Sequence, residues 1–132
     1  MAKIKHVAIR TRDIEKTASF YKDAFGLEQV GVGQNGIYLS DGDINIAVLK
    51  FAPEGHGEPL RLGVDHIGFQ VEDVDVTVAK VSALGGRALP GKNPVEPREA
   101  SQPQSYYEVK CIGPDDQVID ISTAGWVGAR KA

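Results

Sequence analysis

The sequence predicts an α+β fold built from two βαβββ modules, their strands forming a cupped, mostly antiparallel mixed sheet around a cleft. Three observations carry that expectation. KIKHVAIRTRDIE at 3–15 returns as GVDHIGFQVEDVD at 63–75, so that His6 matches His66, Val7 matches Ile67 and Asp13 matches Asp73, sixty residues apart each time. Both copies pass from strand-like alternation into an apolar stripe of helical spacing, and both stripes stop at glycine. Each stripe is then followed by three short β-rich runs divided by turn signals. Strand, cap, helix face and stop agreeing together is far harder to reach by chance than a match in one strand.

The elements follow in order. IKHVAI at 4–9 alternates with the period of a half-buried strand. Asp13 stands at a helix N-cap, where its carboxylate accepts from otherwise unpaired backbone N–H groups. Ile14, Ala18, Tyr21 and Phe25 then line one helix face, and Gly26 ends the helix. LEQVGVG, GIYLS and DINIAVLKF supply three strands, with turns at 33–36 and 41–43. This first module spans 1–52, and 53–62 is a linker. The second module, 63–124, repeats the plan. VDHIGFQV is its first strand, Asp73 its cap, Val74, Val78, Val81 and Leu84 its stripe, and Gly85-Gly86 its stop. RAL, SYYEVKCIG and QVIDIST complete it, with a turn at 113–116. The stretch 90–104 has four prolines and no period; it reads as a lid-like loop or as a plain excursion.

At 132 residues the chain fits one compact domain over 1–132. A net charge of −3 provides no basic field, so nucleic acid is not an expected partner. No apolar run is long enough to span a membrane. MAKIKHVAIR alternates instead of forming the apolar core of a signal peptide. The one cysteine, Cys111, has no intrachain partner and reads as a buried small hydrophobe. These features together point to a cytoplasmic setting.

Strand parity places His6 on one face with Ile4, Ala8 and Arg10, and His66 on one face with Val64, Gly68 and Gln70. The opposite faces carry Val7 and Ile9, and Ile67, Phe69 and Val71, which suit the helix stripes. The histidine faces must therefore be covered by something else. The expected solution is that the two sheets curl face toward face about a pseudo-twofold, so that His6 and His66 meet in one cleft. A single histidine on a sheet face is usually an ordinary hydrogen-bonded residue; two at equivalent inward positions mark a site.

The residues HVAIRTRDIEKTASFYKDAFGLE at 6–28, DHIGFQVEDVD at 65–75 and PDDQVIDIS at 114–122 resemble the motifs of the vicinal oxygen chelate superfamily. That family includes glyoxalase I, extradiol dioxygenases, methylmalonyl-CoA epimerase and bleomycin- and fosfomycin-resistance proteins. The resemblance implies one divalent metal ion (Fe, Mn, Co, Ni or Zn) held in the cleft by first and last strands. Carried over by position, the metal ligands are His6, His66 and Asp120, with Asp120 standing where the family commonly has Glu. In DINIAVLK the fourth ligand position falls best on Ala47, which cannot bind metal; Asn45 is the alternative, through its carbonyl oxygen. A 2-His-1-carboxylate set leaves coordination positions open for substrate oxygens.

The resemblance further implies a small-molecule substrate with vicinal oxygens, turned over by stabilising an enolate or a catecholate, and a homodimer. Arg10 and Gln70 share the histidine faces and are candidates to orient the substrate; the competing reading is a solvated strand end. Glu108 is the candidate catalytic base, with Lys110 and Tyr106 on the same face; a solvent-facing Glu–Lys stripe is the competing reading. Ser122 shares the Asp120 face and, with Asn45 and Lys110, joins Arg10 and Gln70 as a candidate substrate contact; Tyr38 either lines the cleft or fills the sheet. His56 reads as solvated, and Trp126 as a docking anchor of the tail or an aromatic closing a pocket. Two functions stay open: a metal-dependent dioxygenase or glyoxalase-like lyase or isomerase, and a metal-free protein that binds or sequesters a small molecule.

Overall fold

Two copies of a strand motif, each with its own helix, need a shared edge, and the chain provides one through its two histidine strands. In the computed structural model, which describes residues 1–51, 61–89, 93–94 and 107–130, β1 (Lys3–Thr11) pairs antiparallel with β5 (Gly63–Gln70). On the first module's side β4 (Asn45–Lys50) runs parallel to β1, followed outward by β3 (Gly36–Ser40) and β2 (Glu28–Gly33). On the second side β9 (Val118–Ser122) runs parallel to β5, followed by β8 (Tyr107–Ile112), which pairs with the short strands β6 (Arg87–Ala88) and β7 (Asn93–Pro94). The result is one continuous nine-stranded mixed sheet. The halves thus meet edge to edge through backbone hydrogen bonds, not as two separate sheets laid face toward face. The backbone N–H and C=O groups of β1 and β5 would otherwise be left unpaired at an open edge, and pairing them satisfies both rows.

The helices form where the repeat places them. α1 (Ile14–Phe25) starts at Asp13, whose side chain accepts from Lys16 N, and ends at Gly26 in the left-handed conformation. α2 (Val74–Ala83) starts at Asp73, whose side chain accepts from Val76 N. Ile14, Ala18 and Tyr21 pack on Leu39 and Val48. Val74, Val78 and Val81 pack on Val109, Cys111 and Ile121, so Cys111 is indeed a buried small hydrophobe. Burial of a side chain such as Leu39 or Ile121 contributes about 1.5–3 kcal/mol.

Both stripes lose their last member. Phe25 is 66% exposed and Leu84 79% exposed, because each lies at the helix end, beyond the reach of the sheet. Phe25 instead rests its ring against Tyr21 and Phe20. On the other sheet face, Ala8, Tyr38 and Ala47 gather around Val127 from the tail, so Tyr38 is a packing residue. Linker residues 53–60, including His56, together with Tyr106 and the bulk of the 90–104 stretch, lie outside the described residues. Among the described residues no helix is long and apolar enough to cross a membrane.

The two caps sit on different helices without shared partners. Asp13→Ala and Asp73→Ala are each expected to lower unfolding stability by about 1 kcal/mol. Urea denaturation of the double variant should show the sum within about 0.5 kcal/mol.

Candidate metal centre

The β1–β5 pairing is not regular. Between Ile4–Phe69 and His6–Gly68 the first strand carries an extra residue, Lys5; between Ala8–His66 and Ile9–Val64 the second carries an extra residue, Asp65. Lys5 and Asp65 are themselves sixty apart. Each is therefore a bulge placed immediately before a histidine. A bulge re-aims the side chains around it. Here it breaks the alternation: Ile4 and Val64 turn outward to exposure, while Lys5 and His6, and Asp65 and His66, are buried as neighbouring pairs.

The three predicted ligands come together. His6 Nε2 and His66 Nε2 are 3.2 Å apart. Asp120 Oδ2 lies 3.0 Å from His66 Nε2 and 3.7 Å from His6 Nε2. All three residues are buried, and Asp120 is completely so. Donors that share one ion at about 2.0–2.2 Å stand roughly 3–3.6 Å from one another; two of the separations lie in that range and the third, 3.7 Å, is just above it. The strand register explains the missing fourth donor: Gly68 pairs with Asp120 in the second module, and its equivalent Ala8 pairs with Ala47 in the first.

The hydrogen bonds fix what each imidazole offers. Asn45 Nδ2 donates to Val127 O at 2.8 Å, which turns Asn45 Oδ1 toward His6 Nδ1 at 2.7 Å. An amide oxygen only accepts, so His6 carries its proton on Nδ1 and leaves Nε2 as a lone pair. Asp65 Oδ2 lies 2.6 Å from His66 Nδ1 and assigns His66 the same tautomer. Two Nε2 lone pairs thus face each other beside a carboxylate oxygen, Asp120 Oδ2, that is buried with no hydrogen-bond partner. Three electron-rich atoms converging in a dry site repel one another unless a cation, or a proton, lies between them. The donor set fits a divalent metal.

The surroundings make the two histidines unequal. Burial is the main influence on His6 and lowers its pKa to about 4. Burial also works against charging His66, but the neighbouring carboxylates of Asp120 and Asp65 outweigh it and raise the pKa. Burial alone would raise Asp120; the adjoining His66, with Lys110 and His6, holds it well below the usual carboxylate range instead. Lys110 Nζ sits 2.6 Å from Asp120 Oδ1, leaving Oδ2 to face the histidines. Burial, followed by repulsion from Asp120, pushes the Glu108 carboxyl up to about 7.

The other expected site residues are spread over the neighbourhood. Glu108 Oε2 accepts from Trp126 Nε1 at 3.1 Å, and the indole of Trp126 stacks on the His6 ring with centroids 4.8 Å apart. Arg10 donates to Lys50 O, and its Nε lies 3.6 Å from Asp65 Oδ2. Gln70 donates to Thr123 O, and Ser122 Oγ accepts from Gly125 N, so both hold the tail. Asn45 has both ends of its amide engaged within the fold, one on His6 and one on the tail. Asp65 escaped the sequence reading altogether. Its signal was present: an acid directly before a histidine on a strand, where the first copy has Lys5.

The sequence model of the Glyoxalase/Bleomycin resistance protein/Dioxygenase superfamily matches residues 3–99. The chain belongs to this superfamily. It is 26% identical over 132 residues to the metallothiol transferase FosB of Shouchella clausii, covering 98% of this chain and 84% of that one. Among solved structures it resembles methylmalonyl-CoA epimerase of Streptomyces coelicolor, with a TM-score of 0.65, 23% identity and coverage of 91% of this chain and 95% of that one. It also resembles a Mn(II)-bound glyoxalase from Novosphingobium aromaticivorans, with a TM-score of 0.69 and 22% identity; 98% of this chain matches 41% of that one. These likenesses establish the same fold.

A carboxylate behind a ligating histidine fixes its orientation and raises its basicity, and its loss costs about 10–100-fold in metal affinity. Asp65→Asn is expected to weaken Zn(II) binding by that factor. Competition against a chromogenic chelator measures it, and unchanged affinity would remove Asp65 from the site.

Proposed function

We propose that this chain is a divalent-metal-dependent enzyme acting on a small substrate with two adjacent oxygens. His6, His66 and Asp120 hold the ion, and Glu108 moves the proton. The observation that carries the reading is the buried, unpartnered Asp120 Oδ2 facing two Nε2 lone pairs. When bound, the ion supplies Lewis-acid stabilisation of negative charge on the substrate oxygens. Asn45 and Asp65 keep the two imidazoles in one tautomer, so that neither presents a proton to the ion. Lys110 balances part of the charge of Asp120.

Glu108 favours proton transfer, of the lyase or isomerase kind, over dioxygen chemistry. A carboxyl with a pKa near 7 both takes and returns a proton at neutral pH. The indole N–H of Trp126 holds one of its oxygens, and the other is the atom assigned to the carbon acid. The relatives support the metal: one is a metallothiol transferase and another a glyoxalase bound to Mn(II). A metal-free binding protein fits less well, because a ligand held by packing alone has no use for a buried, unpartnered carboxylate oxygen.

Protein purified without chelators is expected to carry one divalent ion per chain, by elemental analysis, and His66→Ala to carry none. Glu108→Gln should keep the ion and lower kcat by about 10²–10⁴-fold. Isomerisation of the glutathione–methylglyoxal adduct, set against oxygen uptake with catechols, divides proton transfer from ring cleavage. Wild-type protein that takes up no ion from a metal-supplemented buffer would sink the proposal.

A further inference from the structure

Beyond β9 the chain does not leave the molecule. It crosses back over the cleft to the first module. Gln70 and Ser122 hold its start, through Thr123 O at 2.9 Å and Gly125 N at 3.1 Å. Asn45 holds its middle through Val127 O. Ser40 Oγ donates to Gly128 O at 2.7 Å, and Arg130 N donates to Asp43 O at 3.0 Å. The segment contains no helix or strand, so side chains of both modules tie it down.

Two side chains of this segment fill the cup. Val127 occupies the recess above Ala8, Tyr38 and Ala47 in the first module. Trp126 lies almost parallel to the His6 ring, at an interplanar angle of 7°, and its Nε1 donates to Glu108. The indole fits there because position 68 is glycine. A Cβ on Gly68 would stand 2.8 Å from two indole carbons and 2.8 Å from His6 Cβ. The equivalent position in the first module carries a methyl group, at Ala8. The three donor residues are themselves buried: His6, on which the indole lies, is 4% exposed, His66 6% and Asp120 0%. An ion and a substrate must nevertheless reach them if the centre works as proposed above.

We propose that the segment 123–130 is a closing strap over the His6–His66–Asp120 centre and that Trp126 is its gate, so that ions and ligands enter only when the indole leaves the face of His6. This rests on the reading of that centre as the working site. It adds that access is governed by a residue from the tail and not by the strands that supply the donors. The strap is suited to local release. Its hydrogen bonds are isolated, most of them to single side chains, and form no continuous ladder, so it opens without unzipping the sheet.

The test uses metal-free protein and the accessibility of His6 itself. Diethyl pyrocarbonate acylates an imidazole nitrogen with a free lone pair, and peptide mass spectrometry gives the rate at His6. The rate is expected to be slow in the wild type and about tenfold faster in Trp126→Ala. Trp126→Phe keeps a ring over the imidazole and should stay close to the wild type. Asp73→Ala, which weakens a distant helix cap, should also leave the rate close to the wild type, separating strap opening from general destabilisation. Gly68→Ala crowds the indole and His6 Cβ alike and should speed labelling of His6 together with acrylamide quenching of Trp126, which keeps the test in hand if Trp126→Ala fails to fold. Trp126 is the one tryptophan of the chain, so its resistance to acrylamide quenching reports the closed strap directly. Equal labelling of His6 in wild type and Trp126→Ala, or an equal rise in Asp73→Ala, would overturn the gate. Metal content is measured separately, so loss of the metal reading and loss of the gate are distinct results.

Discussion

Everything at the centre depends on the antiparallel contact between β1 and β5. Sixty residues separate the two histidines along the chain, yet backbone hydrogen bonds hold their strands side by side. An antiparallel pair has a local twofold between its strands, so equivalent residues of a duplicated strand approach one another near that axis. The two bulges then turn both imidazoles inward at the same level. Without the pairing the histidines belong to separate modules; without the bulges Ile4 and Val64 would take up inward positions beside them.

Sameness of the backbone does not make the site symmetric. One imidazole is backed by the neutral amide of Asn45 and the other by the carboxylate of Asp65. Asp120 comes from the second module alone. This concentrates negative charge in a water-poor region, where an unbalanced carboxylate would be costly. The strands answer it with a lysine across the sheet, since Lys110 and Asp120 are direct partners in the β8–β9 register. That pairing leaves one oxygen balanced and the other turned to the histidines.

Much of this was legible in the sequence because the repeat is written in residues with strong local meanings. Asp13 and Asp73 are caps, Gly26 ends a helix, and period-two runs are strands, whatever surrounds them. The same periodicity puts His6, His66 and Asp120 on inward faces, and their spacing in the folded chain agrees with that placement. Bulges are another matter. Whether Lys5 or Asp65 is the extra residue depends on which strand pairs with which, and that is a property of the register, not of either segment. Parity therefore misplaced Ile4 and Val64. Trp126 was legible as an anchor or a pocket-closing aromatic, but the path of the tail was not: AGWVGARKA has no period, and its course follows from side chains dispersed over both modules. Gly68 was a second local trace of it, a missing side chain inside a strand, which often marks a close approach.

The register of the parallel strands gives the cup a direction. Where the second module presents Asp120 beside Gly68, the first presents the methyl groups of Ala8 and Ala47, with Tyr38 and Val127 around them. One half of the duplicated interior has thus become electrically bare, while the other retains the charged groups. On the function proposed above, a substrate admitted once the strap opens would be oriented before reaction, its oxygens drawn to the charged wall and its hydrocarbon to the bare one.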